Sequence, residues 1–190
     1  VCAAYPSSGK QAPDGSVLIE GKIIGEKFGW GGNEQAGCTA AFDGNTDTFY
    51  DPTTGADTNC YAGMKLKESY VLTMVCIMPR WDFPDRFDGA MIQGSNDGEN
   101  WTVLDTQTGI QFADREQTKT FTLKETAAYT YYRLDITKIR NPGATSADGQ
   151  PLMQLSRWDL LDAEGHTVLL DAVKPTAFES VWKAEATAGK

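Results

Sequence analysis

The residues best equipped to hold a ligand are Ala40–Asp51, which read Ala-Ala-Phe-Asp-Gly-Asn-Thr-Asp-Thr-Phe-Tyr-Asp. Small acidic and amide side chains alternate around a glycine, so their oxygens and the backbone carbonyls can turn toward one point. Hard cations such as calcium take all-oxygen ligation of this kind. The spacing is not that of the twelve-residue helix–loop–helix calcium loop, which ends in a bidentate glutamate. The same residues also suit a plain Asp-Gly-Asn turn between two strands, because Asp, Asn and Gly dominate turns for local backbone reasons. Both readings stand at this point.

A second set of residues is suited to stacking and hydrogen bonding. Trp30 lies in the glycine-laced loop Phe28-Gly29-Trp30-Gly31-Gly32-Asn33. Arg80-Trp81-Asp82-Phe83-Pro84-Asp85-Arg86-Phe87 packs two arginines, three aromatics and two acids into a prolyl loop. Trp30 and Trp81 are candidates for ligand stacking because neither sits in a periodic strand. Arg80 offers either a ligand contact or an ion pair with Asp82 or Asp51, and Phe83 either a stacking face or a plug over the core. Asn141 and the polar loop after it are further candidates. Trp101 and Trp158, at or within strands, are expected in the core.

Catalytic chemistry finds little to work with. There is one histidine, His166, and no nucleophile elbow, His-Glu-x-x-His or phosphate loop is present. A glycosidase needs two carboxylates at a set separation, and 26 acidic residues make any such pairing arbitrary. The expectation is a non-catalytic chain.

The elements that must position these residues are short. Strands are predicted at Val17–Ile24, Tyr61–Leu66, Tyr70–Met78, Gly89–Ser95, Trp101–Leu104, Lys119–Leu123, Tyr131–Ile136, Gln154–Leu161 and Thr167–Leu170. Turn signals separate them, including Asn96-Asp97-Gly98. No long amphipathic helix is evident, and Ala177–Ala186 suits a short helix or a linker. This pattern predicts an all-β antiparallel sandwich. The 190 residues are 41% apolar and 11% aromatic, which suits a globular domain, and carry a net charge of −9. That balance argues against nucleic acid and anionic membranes as partners. Cys2, Cys38, Cys60 and Cys76 have no Cys-x-x-Cys spacing, so two disulfides in any of three connectivities or buried thiols remain open. A Cys38–Cys60 bond would brace the Asp43 loop.

Several stretches in this order resemble the coagulation factor 5/8 type C, or discoidin-like, domain, especially the bacterial family 32 carbohydrate-binding modules. They are Ala-Phe-Asp-Gly-Asn-Thr-Asp-Thr-Phe-Tyr at 41–50, Tyr-Ala-Gly-Met-Lys-Leu at 61–66, Met78-Pro79-Arg80 and Arg86. They continue with Gly89 to Gly98 followed by Trp101-Thr102, Tyr131-Tyr132-Arg133-Leu134, and Gln154-Leu155-Ser156-Arg157-Trp158. The resemblance spans 17–162, with 1–16 an irregular lead-in and 163–190 an extra strand plus a C-terminal extension or linker.

The resemblance implies a galactose-binding-domain-like jelly roll, a structural calcium, and glycan binding by loops at one end. The module would be extracellular, secreted or at the cell surface, and appended to other modules. A protein-interaction or adhesion domain of the same fold is the alternative. Carried over residue by residue, the calcium ligands are the Ala40 carbonyl, the Asp43 carboxylate, the Asn45 carbonyl and both Thr48 oxygens, joined by Ser156 from the last strand. There the family pattern usually reads Ala-Glu, whereas this chain has Ser156-Arg157. An arginine cannot ligate calcium. Either the ion loses a carboxylate, or the Arg157 guanidinium replaces the cation by pairing with Asp43. The family's ligand-contact positions fall on Tyr50 or Asp51 and on Arg80. The histidine usual after the calcium loop is absent.

Overall fold

The computed structural model of the chain describes residues 17–19, 21–43, 45, 47–52, 60–80, 82–87, 89–113, 117–136, 141–145, 151–152, 154–165 and 167–170. In chain order the strands are β1 (Val17–Ile19), β2 (Gly21–Gly25), β3 (Tyr61–Val71), β4 (Met74–Pro79), β5 (Ala90–Ser95) and β6 (Thr102–Gln107). They continue with β7 (Lys119–Thr122), β8 (Ala128–Asp135), β9 (Asn141–Thr145), β10 (Pro151–Leu152), β11 (Leu155–Leu161) and β12 (Thr167–Leu170). One five-stranded sheet has the order β1-β12-β11-β4-β7, the other β2-β3-β8-β5-β6, and β9 and β10 form a separate pair. Pairing is antiparallel except for β1 with β12. The expected all-β antiparallel sandwich is the architecture found. Among the described residues no helix is long and apolar enough to cross a membrane.

The two inner faces supply the core. Val75 and Ile77 of β4 with Trp158 and Leu160 of β11 come from the first sheet, and Ala62, Met64, Tyr132, Leu134 and Ile92 from the second. In β8 the side-chain period of two is plain, since Tyr132 and Leu134 are buried while Tyr131 and Arg133 are part-exposed. Trp158 is fully buried against Phe42, 5.2 Å between ring centroids. Trp101 departs from its expected core place. It is part-exposed on the second sheet, edge-on to Tyr131 and 4.0 Å from the Arg133 guanidinium.

The strand expected over Tyr70–Met78 is divided between the sheets. Tyr70 and Val71 end β3 opposite Tyr129 and Ala128, and the chain crosses at Leu72-Thr73 to start β4. Thr73 donates its N–H to Leu161 O at 3.0 Å and accepts from Leu123 N at 2.8 Å, so both backbone groups are taken over by the first sheet. A nearly continuous apolar run, interrupted only by Thr73, hides such a switch, because both segments bury side chains in the same core. The polar stretch expected as a loop from Asn141 begins instead as β9, paired to β10. The possible helix at 177–186 lies outside the described residues.

Of the two possibilities open for Cys38 and Cys60, the structure has buried thiols and not a disulfide bracing the Asp43 loop. Cys60 Sγ donates to Pro52 O at 3.6 Å, and burial pushes the Cys38 thiol up to about 11. Cys76 is disulfide-bonded. The Asp43 loop is braced by backbone instead. Cys38 N donates to Glu26 O at 2.8 Å and Asp51 N to Ala36 O at 2.9 Å. A Cβ on Gly37 would sit 2.0 Å from Lys27 O, so only glycine permits this approach.

Candidate ligand-binding end of the sandwich

Three chain segments meet where β4 ends and β11 begins. Leu155 pairs with Pro79, and Tyr50 bridges to Leu155 through hydrogen bonds of 2.8 and 3.2 Å. The residues just beyond these pairings are Asp51, the 80–87 loop and Gln154. The loop is held short by a 3-10 turn at Pro84–Arg86, and Gln154 N donates to Arg86 O at 3.2 Å.

Gln154 organises the polar side chains. Its amide is buried and donates to Asp51 Oδ2 at 2.5 Å. Its Oε1 accepts from Arg80 Nη1 at 3.0 Å and from Arg86 Nη1 at 2.8 Å. Arg80 also grips Asp82 with Nε and Nη2, at 2.5 and 2.9 Å. Aromatic rings flank the guanidinium groups. Arg80 lies 3.7 Å from the Phe49 centroid and 4.8 Å from that of Phe83, and Arg86 lies 3.6 Å from Phe83. Phe83 itself is 38% exposed. The result is a rigid patch of planar cations with an open aromatic ring beside them. Burial and the neighbouring Arg80 both disfavour the charged form of Arg86.

The Asp43 loop lies just upstream of the same end. Asp43 Oδ1 accepts from Asn45 N at 2.8 Å and Oδ2 from the Thr48 hydroxyl at 2.6 Å. The Thr48 hydroxyl also reaches Asn45 O at 2.9 Å. Burial pushes the Asp43 carboxyl up to about 6. Ala40, Asp43 and Thr48 line an open depression of about 520 Å³ together with Glu34, Gln35 and Thr39. Among the described residues no three His, Cys, Asp or Glu side chains gather as a metal cluster.

The sequence matches the F5/8 type C domain model over residues 26–148. The chain belongs to this family. No curated protein matches it at a significant level. Solved structures do share the fold. CBM62 from Clostridium thermocellum Xyl5A is 22% identical with a TM-score of 0.56, covering 78% of this chain and 96% of that one. Chitosan-binding module 1 of a chitosanase/glucanase from Paenibacillus sp. IK-5 is 17% identical, TM-score 0.52, covering 76% and 95%. The family 32 module of C. perfringens NanJ, solved with galactose, is 16% identical, TM-score 0.52, covering 75% and 92%.

Within this F5/8 type C domain the expected ligand residues separate into two groups. Arg80, Asp82 and Phe83 converge on one patch, with Asp51 behind them as a buried support, 4% exposed. Tyr50 does not reach the surface. Its ring is fully buried, its hydroxyl donates to Tyr61 O at 3.1 Å, and its bridge to Leu155 turns it inward, so its expected role as a ligand contact is corrected to a core one. Trp30 begins a 3-10 turn and Asn141 begins β9, but the side chains of both, and all of Trp81 and His166, lie outside what is described. Arg80 does make the ion pair with Asp82, and the same geometry fixes its guanidinium. Sequence reasoning missed Gln154 and Phe49 as parts of this patch. The available signal for Gln154 was an amide placed directly before the apolar start of a strand.

The expected alternative for Arg157 is also corrected. It pairs with Asp159, two residues along the same strand face, and not with Asp43, whose bonds go to Asn45 and Thr48. Ser156 is buried in β11.

Proposed function

We propose that this domain is a non-catalytic carbohydrate-binding module, secreted or cell-surface and carried by a larger protein, that holds glycan at the Phe83–Arg80 patch. The observation that carries this reading is the exposed Phe83 ring beside guanidinium groups locked in plane by Gln154 and Asp82. A pyranose needs an aromatic face for its C–H side and fixed planar groups for neighbouring hydroxyls, and pre-organisation lowers the ordering cost of binding. The carbohydrate-binding character of structures with this fold is consistent with it. The test is a glycan array and polysaccharide pull-down with wild type, Phe83→Ala and Arg80→Ala. Binding of wild type to a defined glycan and a loss of at least about tenfold in each variant, with melting temperature near wild type, is expected; stacking of one ring is worth roughly that much. Wild-type binding to no glycan overturns the reading in favour of a protein-interaction domain.

Calcium at the Asp43 loop belongs to the same proposal. The residues fit such an ion. Asp43 is a desolvated carboxylate with no Lys or Arg bonded to it among the described residues, the Thr48 hydroxyl links it to Asn45 O, and Ala40 lines the same depression. A bound calcium would neutralise that charge and fasten the loop. Without metal, an Asp43 pKa raised from 3.8 to about 6 means that its contribution to stability is present at acid pH and lost as pH rises through about 6. Calcium takes the ionised carboxylate, so its stabilising effect should grow over the same range. Melting with calcium against chelator at pH 5 and pH 7.5 should show the larger calcium shift at pH 7.5, and Asp43→Asn should erase it. An equal shift in Asp43→Asn would place the ion elsewhere.

A further inference from the structure

Arg86 differs from Arg80 in how its donors are used. A guanidinium has five N–H groups. Arg80 directs three atoms to Asp82 and Gln154, whereas Arg86 makes one side-chain hydrogen bond among the described residues, from Nη1 to Gln154 Oε1 at 2.8 Å. No carboxylate of a described residue lies within ion-pair distance of it. It is nonetheless fixed, its guanidinium carbon over the Phe83 ring at 3.6 Å from the centroid, and tied to an amide held in place because Gln154 is buried and anchored on Asp51. Two cations thus share one neutral acceptor at the edge of an exposed ring. Arg80 is already neutralised by Asp82, and Asp85, Asp51 and Asp82 act on Arg86 only from beyond ion-pair distance, so an anion placed at the Arg86 donors that no described residue takes up would meet them directly in charge-assisted bonds.

We propose that Arg86 recognises the anionic group of an acidic glycan, a uronate carboxylate or a sulfate ester, while Phe83 carries the face of the adjoining sugar ring. This rests on the glycan-binding reading above and names its substrate class. The net charge of −9 makes the point testable. Long-range electrostatics repel an acidic polymer, so a preference for one must come from a local site.

The experiment uses matched polymers that differ in charge. Polygalacturonate is compared with its methyl ester, and carrageenan with agarose, by affinity electrophoresis and calorimetry on wild type, Arg86→Gln and Arg86→Lys. Wild type is expected to favour the acidic member of at least one pair by about tenfold, the size of one charge-assisted bond. Arg86→Gln should bring that preference to near unity, and Arg86→Lys, which keeps the charge but not the fork, should retain part of it. The pair that shows the preference tells carboxylate from sulfate. Binding of neutral members without preference for acidic ones overturns this inference and leaves the glycan reading standing, as does a preference unchanged in a folded Arg86→Gln. Binding to none of the four polymers, nor to any glycan on the array, overturns both.

Discussion

Gln154→Ala should cost about 3 kcal/mol of folding stability and weaken glycan binding by more than any single change at the exposed ring. Gln154 is buried, and its amide bonds three charged groups at once: Arg80, Arg86 and Asp51. Hydrogen bonds to charged groups contribute about 1.5–3 kcal/mol each, and stranding a buried partner adds its desolvation. Nearby water can recover part of this at the two arginines, which is why the expected total is below the sum. Urea unfolding measures the first effect and calorimetry the second. Gln154→Glu is the informative companion. It keeps an acceptor for both guanidinium groups but turns a carboxylate toward Asp51, so it should preserve arginine placement while still losing stability. If Gln154→Ala unfolds at the wild-type urea midpoint, the shared-acceptor account of this patch fails.

Much of the architecture was legible in the sequence, because period-two alternation and Asp-Gly turns are local signals. The hairpin at Asn96–Asn100 shows this well. Asp97 accepts from Glu99 N at 2.8 Å and Asn100 N at 2.7 Å, and Gly98 takes φ 78°, all as the residue types demand. The candidate site was only half legible. Arg80, Asp82 and Phe83 share a loop, so their convergence follows from proximity along the chain. Tyr50 was misplaced because its burial depends on a bridge to Leu155, more than a hundred residues away, which no neighbouring residue announces. Gln154 was missed for the same reason. The sheet switch at Leu72-Thr73 escaped because composition does not change across it. The Arg157–Asp159 pair is a different case: residues two apart on a strand share a face, so the pairing was readable, yet the family pattern drew attention to Asp43 instead.

That pair yields the second large effect. Arg157 and Asp159 are 3% and 6% exposed, and burial holds the Asp159 carboxyl above its ordinary 3.8 while Arg157 pulls it back. Removing one partner of a buried ion pair costs about 3–5 kcal/mol, since it leaves the other charge uncompensated. Arg157→Leu should therefore lose about that much at pH 7. The loss should depend on pH with a definite sign. Without Arg157 the folded pKa of Asp159 rises further above its unfolded value, so the carboxyl's contribution is intact at acid pH and lost as pH rises through the folded pKa. Urea midpoints for Arg157→Leu should approach wild type as pH is lowered from 7 toward 4.5, and Arg157→Leu/Asp159→Leu, which buries no charge, should recover much of the stability at pH 7. A deficit that is the same at both pH values would mean that Arg157 acts through packing of its aliphatic stem. Recovery at low pH would instead establish that the arginine serves β11 as the counter-ion of Asp159, and would leave the Asp43 carboxylate free to take its own cation.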